Sequence, residues 1–340
     1  MRIAVDAMGG DVGPAVVVPA AIEAARTFGV AVSLVGRTAD LTPLLRLAPS
    51  TLDVQIVEAP ETIEMDDHPV TAVRKKPLSS INVALGEVKS GRADAMISAG
   101  NSGAVMTASL LVLGRIPGIE RPALASVLPN ARGRTILLDL GAVTDPKPQH
   151  LVQFAHMATV YGERVLRKSR PTVALLSNGE EPSKGNALVL EVHELLQADK
   201  RINFVGNVEG KEILKGNVDI IVTDGFTGSV ALKTMEGLFT VMSDLIREEL
   251  TATLPRKMAA AVLRPAFRNV RTRLDYAEIG GAPLLGVNGP VIIAHGRSNE
   301  RAMLNAMGAG IETAKAEIVA AIRDRIRSDS NVTVPAPAVG

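Results

Sequence analysis

The sequence predicts an α/β fold, a doubly wound, Rossmann-like α/β/α sandwich. Three observations predict it. Short β-branched runs alternate with helix-period segments along residues 1–328, polar turns bearing glycine follow the runs, and neither an internal repeat nor a linker interrupts the series. The alternation opens with RIAVDA, a helix over 14–28, AVSLVG, a short helix and DVQIVEA, which reads as parallel strands with crossover helices on both faces. A helix over 79–91, the strand DAMIS and a helix over 102–113 continue it, and the runs ALASVL and TILLDL lie close enough to be neighbours. A helix over 149–167, the strand TVALLSN, a helix over 186–198, the strands INFVG and DIIVTD and a long helix over 229–250 follow. Beyond a basic stretch come the strand VIIAH and a last helix over 298–327. Residues 1–328 therefore read as one continuous domain with a protruding helical arm at about 251–275, and 329–340 as a frayed tail.

Composition narrows the function. Lys plus Arg number 37 against 36 Asp plus Glu, so no global field gathers nucleic acid or another polyanion. Six Phe, two Tyr and no Trp leave few rings on which bases could stack, which argues against nucleic acid as a partner. The absence of Cys removes thiolate nucleophiles, disulfides and cysteine zinc sites, and fits a reducing cytoplasm. The start MRIAVDAMGGD lacks the apolar core of a signal peptide, and no run reaches the roughly 18 apolar residues of a membrane span. Any membrane contact is expected from one side.

In open α/β sheets ligands bind beyond the carboxyl ends of the strands. The loops expected there are 6–14, 98–104, 139–145, 177–186, 224–229 and 295–299, all polar and all bearing glycine. Glycine lets backbone amides approach an anion, and the following helix adds its positive end. Six such loops on one edge predict an anion site, although any single one is ordinary turn chemistry. No G-x-G-x-x-G follows a strand and the Walker spacing is missing, which favours a small phosphate over a nucleotide. Lys184 is the one cation in its loop and stands just before a helix; it either meets the anion or is a solvated surface lysine. Of the five histidines, His156 and His193 fall inside helical patterns and read as structural, whereas His295 ends a strand at the proposed edge. No metal-ligand spacing occurs, and Asp6, Asp11, Asp139, Asp145 and Asp224 read as loop or cap residues rather than ligands.

The segments VDAMGGDVGP, ISAGNSGA, DLGAVTDPKPQHL, NGEEPSKGN, FVGNVEGKEIL, DGFTGSVALKTMEG, GGAPLLGVNGP and IIAHGRS, in this order, resemble the phosphate acyltransferase family known as PlsX. The family's usual pattern has Asn where Val143 and Ser229 stand. The resemblance implies a fold similar to the isocitrate and isopropylmalate dehydrogenases and to phosphotransacetylases. It also implies transfer of a fatty acyl group from acyl carrier protein to inorganic phosphate, without a cofactor or metal. Partners implied are a homodimer, a peripheral contact with anionic membrane and a downstream glycerol-3-phosphate acyltransferase. Lys184, Asn101 and His295 are then the catalytic candidates, and Asp6, Gly9, Gly10, Ser102, Gly103, Asn186, Asp224 and Ser229 the phosphate or substrate contacts. Two rival readings are an NAD(P)-dependent decarboxylating dehydrogenase on a related fold, which lacks an adenosine signature here, and a non-catalytic scaffold for acyl carrier protein at membranes.

The stretch 251–274 holds Arg256, Lys257, Arg264, Arg268, Arg271 and Arg273 and no acid. Leu254, Met258 and Val262 recur every four residues, as do Leu263 and Phe267, so short helices broken near Pro265 would show an apolar stripe beside basic flanks. That pattern predicts an interfacial surface for membrane, for carrier protein, or for both, with packing on a dimer partner as the plainer alternative.

Overall fold

The computed structural model describes residues 1–46, 48–274 and 280–330, with side chains for all of these except 267–274 and 328–330. Its strands are β1 (Arg2–Asp6), β2 (Ala31–Gly36), β3 (Val54–Glu58), β4 (Ala95–Ser98), β5 (Ala123–Asn130), β6 (Gly133–Leu138), β7 (Thr172–Leu176), β8 (Asn203–Val208), β9 (Ile220–Val222), β10 (Ala282–Leu285) and β11 (Val291–Ile293). Among the described residues they form one sheet in the order β3-β2-β1-β4-β11-β10-β5-β6-β9-β7-β8. The helices are α1 (Pro14–Phe28), α2 (Thr38–Leu45), α3 (Pro69–Lys75), α4 (Ser80–Lys89), α5 (Ser102–Val112), α6 (Pro148–Arg164), α7 (Ala187–Ala198), α8 (Gly225–Thr251), α9 (Leu254–Leu274), α10 (Glu300–Lys315) and α11 (Ile318–Ser330).

Helices cover both faces, as the alternation predicted. Along β1 the side chains alternate sides, so Ile3 and Val5 join the cluster of α1 and α10 while Ala4 joins that of α4 and α5. Along β6, Ile136 and Leu138 face α6, α7 and α11, and Leu137 faces Leu232 and Met235 of α8.

The expected parallel pairing holds within β1 to β4 and within β6 to β9, but the sheet as a whole is mixed. β10 runs antiparallel to β11 and to β5, and β5 is antiparallel to β6. Because β11 is parallel to β4, these reversals make β6, β9, β7 and β8 run opposite to β1 to β4 and β11. The six loops therefore fall into two groups that leave oppositely directed strands, not one edge.

Three local expectations also change. The last helix is two, because Glu317 takes a left-handed conformation at φ 51°. The turn lets Met303, Met307 and Ile311 of α10 pack in the first half while Ile318, Ile322 and Ile326 of α11 pack in the second. Next, α9 runs through Pro265 without a break. The carbonyl left unpaired by a proline lies on an exposed helix there, where water can satisfy it. Finally, α3 and β10 are present where no element was expected. Residues 69–75 are short for a helical period, and Pro283 within a glycine-rich segment reads as turn.

The two helical histidines are buried, as expected. His156 bonds Asp199 at 2.8 Å and accepts from Arg325 of α11 at 3.3 Å, tying that helix to α6. Burial holds its imidazole below the usual range, against the opposing pull of Asp199.

Candidate functional site

The first group of loops converges on the ends of β1, β4 and β11. Asp6 is fully buried, accepting from the Met8 amide at 3.1 Å and from the Ser98 hydroxyl at 2.6 Å. Ser98 in turn accepts from the Gly100 amide at 3.0 Å, so one carboxylate fixes two loops. Burial pushes the Asp6 carboxyl above its ordinary range, with the hydrogen bonds to it opposing that rise. Gly9 packs so closely that a Cβ would stand 2.6 Å from both the Asp6 carboxylate and the Gly100 nitrogen. Gly10 adopts φ +92°, and a Cβ there would stand 3.1 Å from the Gly296 carbonyl, which already accepts from the Asp11 amide at 2.8 Å. A small hollow opens beside these backbones, lined by Gly10, Val12, Gly13, Val16, Gly296 and Ser298.

This hollow lies at the start of α1. Its N-cap is Gly13, which offers no side-chain acceptor, and its first turn carries no acid. In contrast, α5, α7, α8 and α10 are capped by side chains of Asn101, Asn186, Asp224 and Asn299. The positive end of α1 is thus left for something other than a cap.

The caps add structural duties to several candidate residues. Asn101 accepts from the Ala104 amide at 3.1 Å, and its amide donates to the carbonyls of Glu64 at 3.4 Å, Met65 at 3.1 Å and Asp67 at 3.0 Å. Its polar atoms seat loop 64–67 beside α5, a structural duty in addition to the substrate role expected of it. Met65 from that loop reaches over Gly296, where a Cβ would meet its methyl carbon at 2.8 Å. Gly103 lacks a side chain where Pro69 crosses, since a Cβ there would stand 2.7 Å from the Pro69 ring, while Ser102 is exposed. Asn186 and Asp224 accept from the Val189 and Thr227 amides at 3.0 and 2.8 Å, as helix caps do. His295 is exposed, with its Nδ1 accepting from the Arg297 amide at 3.2 Å.

The second group repeats the device of the first. Asp139 directly follows β6, is fully buried, and accepts from the amides of Leu124 at 2.9 Å, Ala142 at 3.1 Å and Val143 at 2.6 Å. Burial raises its carboxyl, and the backbone donors oppose that. A Cβ on Gly225 would stand 2.6 Å from this carboxylate, as one on Gly9 would from Asp6. Val143 contributes its backbone, donating to Asp139 and accepting from the Gly225 amide at 2.9 Å, while its side chain packs on the core. Asn in that place would not be needed for the loop to form. Ser229 is half-buried near Gly141. Ser98 and Asp139 were the members that residue-by-residue reading did not rank. The signal was a strand-ending Asp with glycine two or three residues on, in VDAMGG and LDLGAV.

Lys184 sits in the third loop of this half, exposed, and its ammonium has no hydrogen bond or ion pair among the described residues. Among those residues no group of three or more His, Asp or Glu converges as a metal cluster would.

A family model described as fatty acid synthesis protein matches residues 1–321. A phosphate acyltransferase of Heliobacterium modesticaldum is 48% identical over 330 residues, covering 96% of this chain and 98% of the relative. The chain belongs to the phosphate acyltransferase family. A second family member, the phosphate acyltransferase of Geobacter sulfurreducens, is 49% identical over 310 residues, 90% of this chain and 89% of its own. Among solved structures the EutD phosphotransacetylase from Staphylococcus aureus superposes with a TM-score of 0.61 at 16% identity, covering 93% of this chain and 94% of that one, a likeness of fold alone. The loops that carried the resemblance in sequence are thus the ones this family member uses to build its two buried-aspartate clusters.

Proposed function

We propose that the chain transfers a fatty acyl group from acyl carrier protein to inorganic phosphate, releasing acyl-phosphate for phospholipid synthesis. One observation carries the choice of phosphate: the start of α1, which no side chain caps, beside the closely packed Gly9, Gly10 and Gly296 backbones, in a chain of the phosphate acyltransferase family. We take the two groups of loops to face one cleft. Lys184 then faces phosphate or the developing oxyanion from the opposite wall, and His295 stands by to assist a proton. A thioester needs little acid catalysis because its thiolate leaves with a pKa of about 8.5, so positioning and charge stabilisation are the main demands. The fold is also related, in this proposal, to that of the isocitrate and isopropylmalate dehydrogenases.

Mixing the purified protein with long-chain acyl carrier protein and labelled phosphate is expected to release carrier thiol and form labelled acyl-phosphate, with neither nucleotide nor metal added. Thiol release that persists unchanged after rigorous phosphate removal would overturn the reading.

The arm is assigned to partners. On α8 the residues Leu238, Val241, Met242, Leu245 and Ile246 are all exposed at helical spacing, a stripe that supports a homodimer. On α9, Leu254 is 72% exposed and Leu263 50%, beside exposed Lys257 and Arg264. Arg256 pairs with Glu249 of α8 at 2.7 Å, so it is less available to an outside anion than the acid-free stretch suggested. The side chains of Phe267 and Arg268 lie outside the described residues. No described helix is long and apolar enough to cross a membrane. Basic residues near an anionic surface contribute about 1 kcal/mol each, which favours a peripheral, salt-sensitive membrane contact. Replacing Leu254, Leu263 and Phe267 together by Glu is expected to abolish sedimentation with anionic liposomes while turnover on soluble substrate persists. Undiminished sedimentation would refute the membrane role. A large rise in Michaelis constant for carrier substrate in Arg264→Glu, with normal sedimentation, would assign that face to the carrier.

A further inference from the structure

We infer that Asn207, itself oriented by His193, is a positioning residue that aims Lys184; the inference rests on the role of Lys184 proposed above. Asn207 lies on β8 and His193 on α7, both buried. The Asn207 amide donates to the carbonyl of Glu181 at 3.1 Å and reaches that of Lys184 at 3.5 Å. Carbonyls only accept, so the Asn207 nitrogen must face them and its oxygen must face His193 Nδ1, 2.9 Å away. That oxygen also only accepts, which places the imidazole proton on Nδ1. The ring sits edge-on to Phe204 with centroids 5.1 Å apart, a contact that favours this orientation.

The far end of this relay is the lysine itself. The Lys184 amide donates to the same Glu181 carbonyl at 3.0 Å, so that oxygen collects one bond from the loop and one from Asn207. The lysine stem crosses Gly179 so closely that a Cβ there would stand 2.6 Å from its Cγ. Gly185 then turns the chain at φ +114° into α7, whose first turn Asn186 caps. Backbone and stem are fixed while the ammonium stays without a partner among the described residues. An exposed lysine ordinarily loses much conformational freedom when it grips an anion, and a pre-seated stem loses less. The two buried polar side chains behind the loop thus have a consequence at its exposed tip.

Steady-state kinetics with long-chain acyl carrier protein and inorganic phosphate test this. Asn207→Leu is expected to raise the Michaelis constant for phosphate about tenfold and to leave that for the acyl donor within about twofold. His193→Phe should move the phosphate constant the same way, and His193→Gln should restore it, because a glutamine amide can donate to the Asn207 oxygen. In a Lys184→Met background, Asn207→Leu should add less than about twofold. An unchanged phosphate constant, an equal rise in both constants, or additive effects in the double variant would overturn the inference. If Asn207→Leu does not fold, the two His193 variants decide, and identical kinetics for Phe and Gln overturns it. Wild-type kinetics for Lys184→Met would remove the role of Lys184 and this inference together, whereas a crippled Lys184→Met beside a normal Asn207→Leu would remove only the inference.

Discussion

Lys184→Met is expected to lower kcat/KM for phosphate about a hundredfold, roughly 2.7 kcal/mol of lost transition-state stabilisation, while the thermal midpoint stays at the wild-type value. The two halves of that expectation have separate causes. The ammonium makes no bond or ion pair with the described residues, so folding loses nothing polar when it is removed. Bound phosphate and the oxyanion would lose a charge-assisted donor in a site built mainly of backbone. Methionine keeps the apolar stem that crosses Gly179, which leaves the loop seated. Steady-state kinetics with phosphate as the varied substrate, paired with a thermal melt, separates the effects. Unchanged kinetics would return Lys184 to the status of a solvated surface lysine.

Asp139→Asn is expected to cost about 1–3 kcal/mol of stability, and Asp6→Asn less. Both oxygens of Asp139 accept from backbone amides, Leu124 and Ala142 on one and Val143 on the other. Whichever way an asparagine turns, its NH2 confronts a buried N–H. Asp6 accepts from the Met8 amide on one oxygen and from the Ser98 hydroxyl on the other, and that hydroxyl can rotate to accept instead. The pH dependence has a definite sign. Burial raises the Asp139 carboxyl above the unfolded value of 3.8, so the native state holds its proton longer than the unfolded chain does. Its stabilisation is fully present below that value and is lost as pH rises through the raised one. Asparagine does not titrate, so the wild-type advantage over Asp139→Asn should shrink between about pH 4 and neutrality. Denaturant unfolding at both pH values measures it. A gap that widens with pH, or equal stability of the Asp6 and Asp139 variants, would contradict the assignment.

Much of the fold is local and was therefore legible. Pro14 at the first position of α1 and Gly29 at its end, in a left-handed conformation, mark a helix that the periodicity predicted over the same residues. Buried runs such as RIAVD and TILL announce strands because β-branched and leucine side chains fill both faces of the sheet. β10 was not legible, since Pro283 between glycines carries the signature of a turn and becomes a strand only because β5 and β11 pair with it. Strand direction went unread for the same reason: which edges pair is settled by partners far away in sequence.

The candidate site divides along the same line. The sequence by itself determined the residue types that chemistry requires: glycines that admit a close anion, strand-ending aspartates, a lone lysine in its loop, and motifs specific enough to give the family. It also determined the basic, apolar-striped character of the arm. Only the tertiary structure decided what each polar side chain is committed to. Asn101, Asn186 and Asp224, expected as ligand contacts, also cap helices, because an amide or carboxylate beside a helix start is drawn to the nearest unpaired N–H. His193 and Asn207, from a helix and a strand that the sequence did not connect, come to share a hydrogen bond behind Lys184. Hydrogen-bond partners 14 to 92 residues apart, as for His193 with Asn207 and Asp6 with Ser98, are set by packing across the sheet and leave no trace in local pattern.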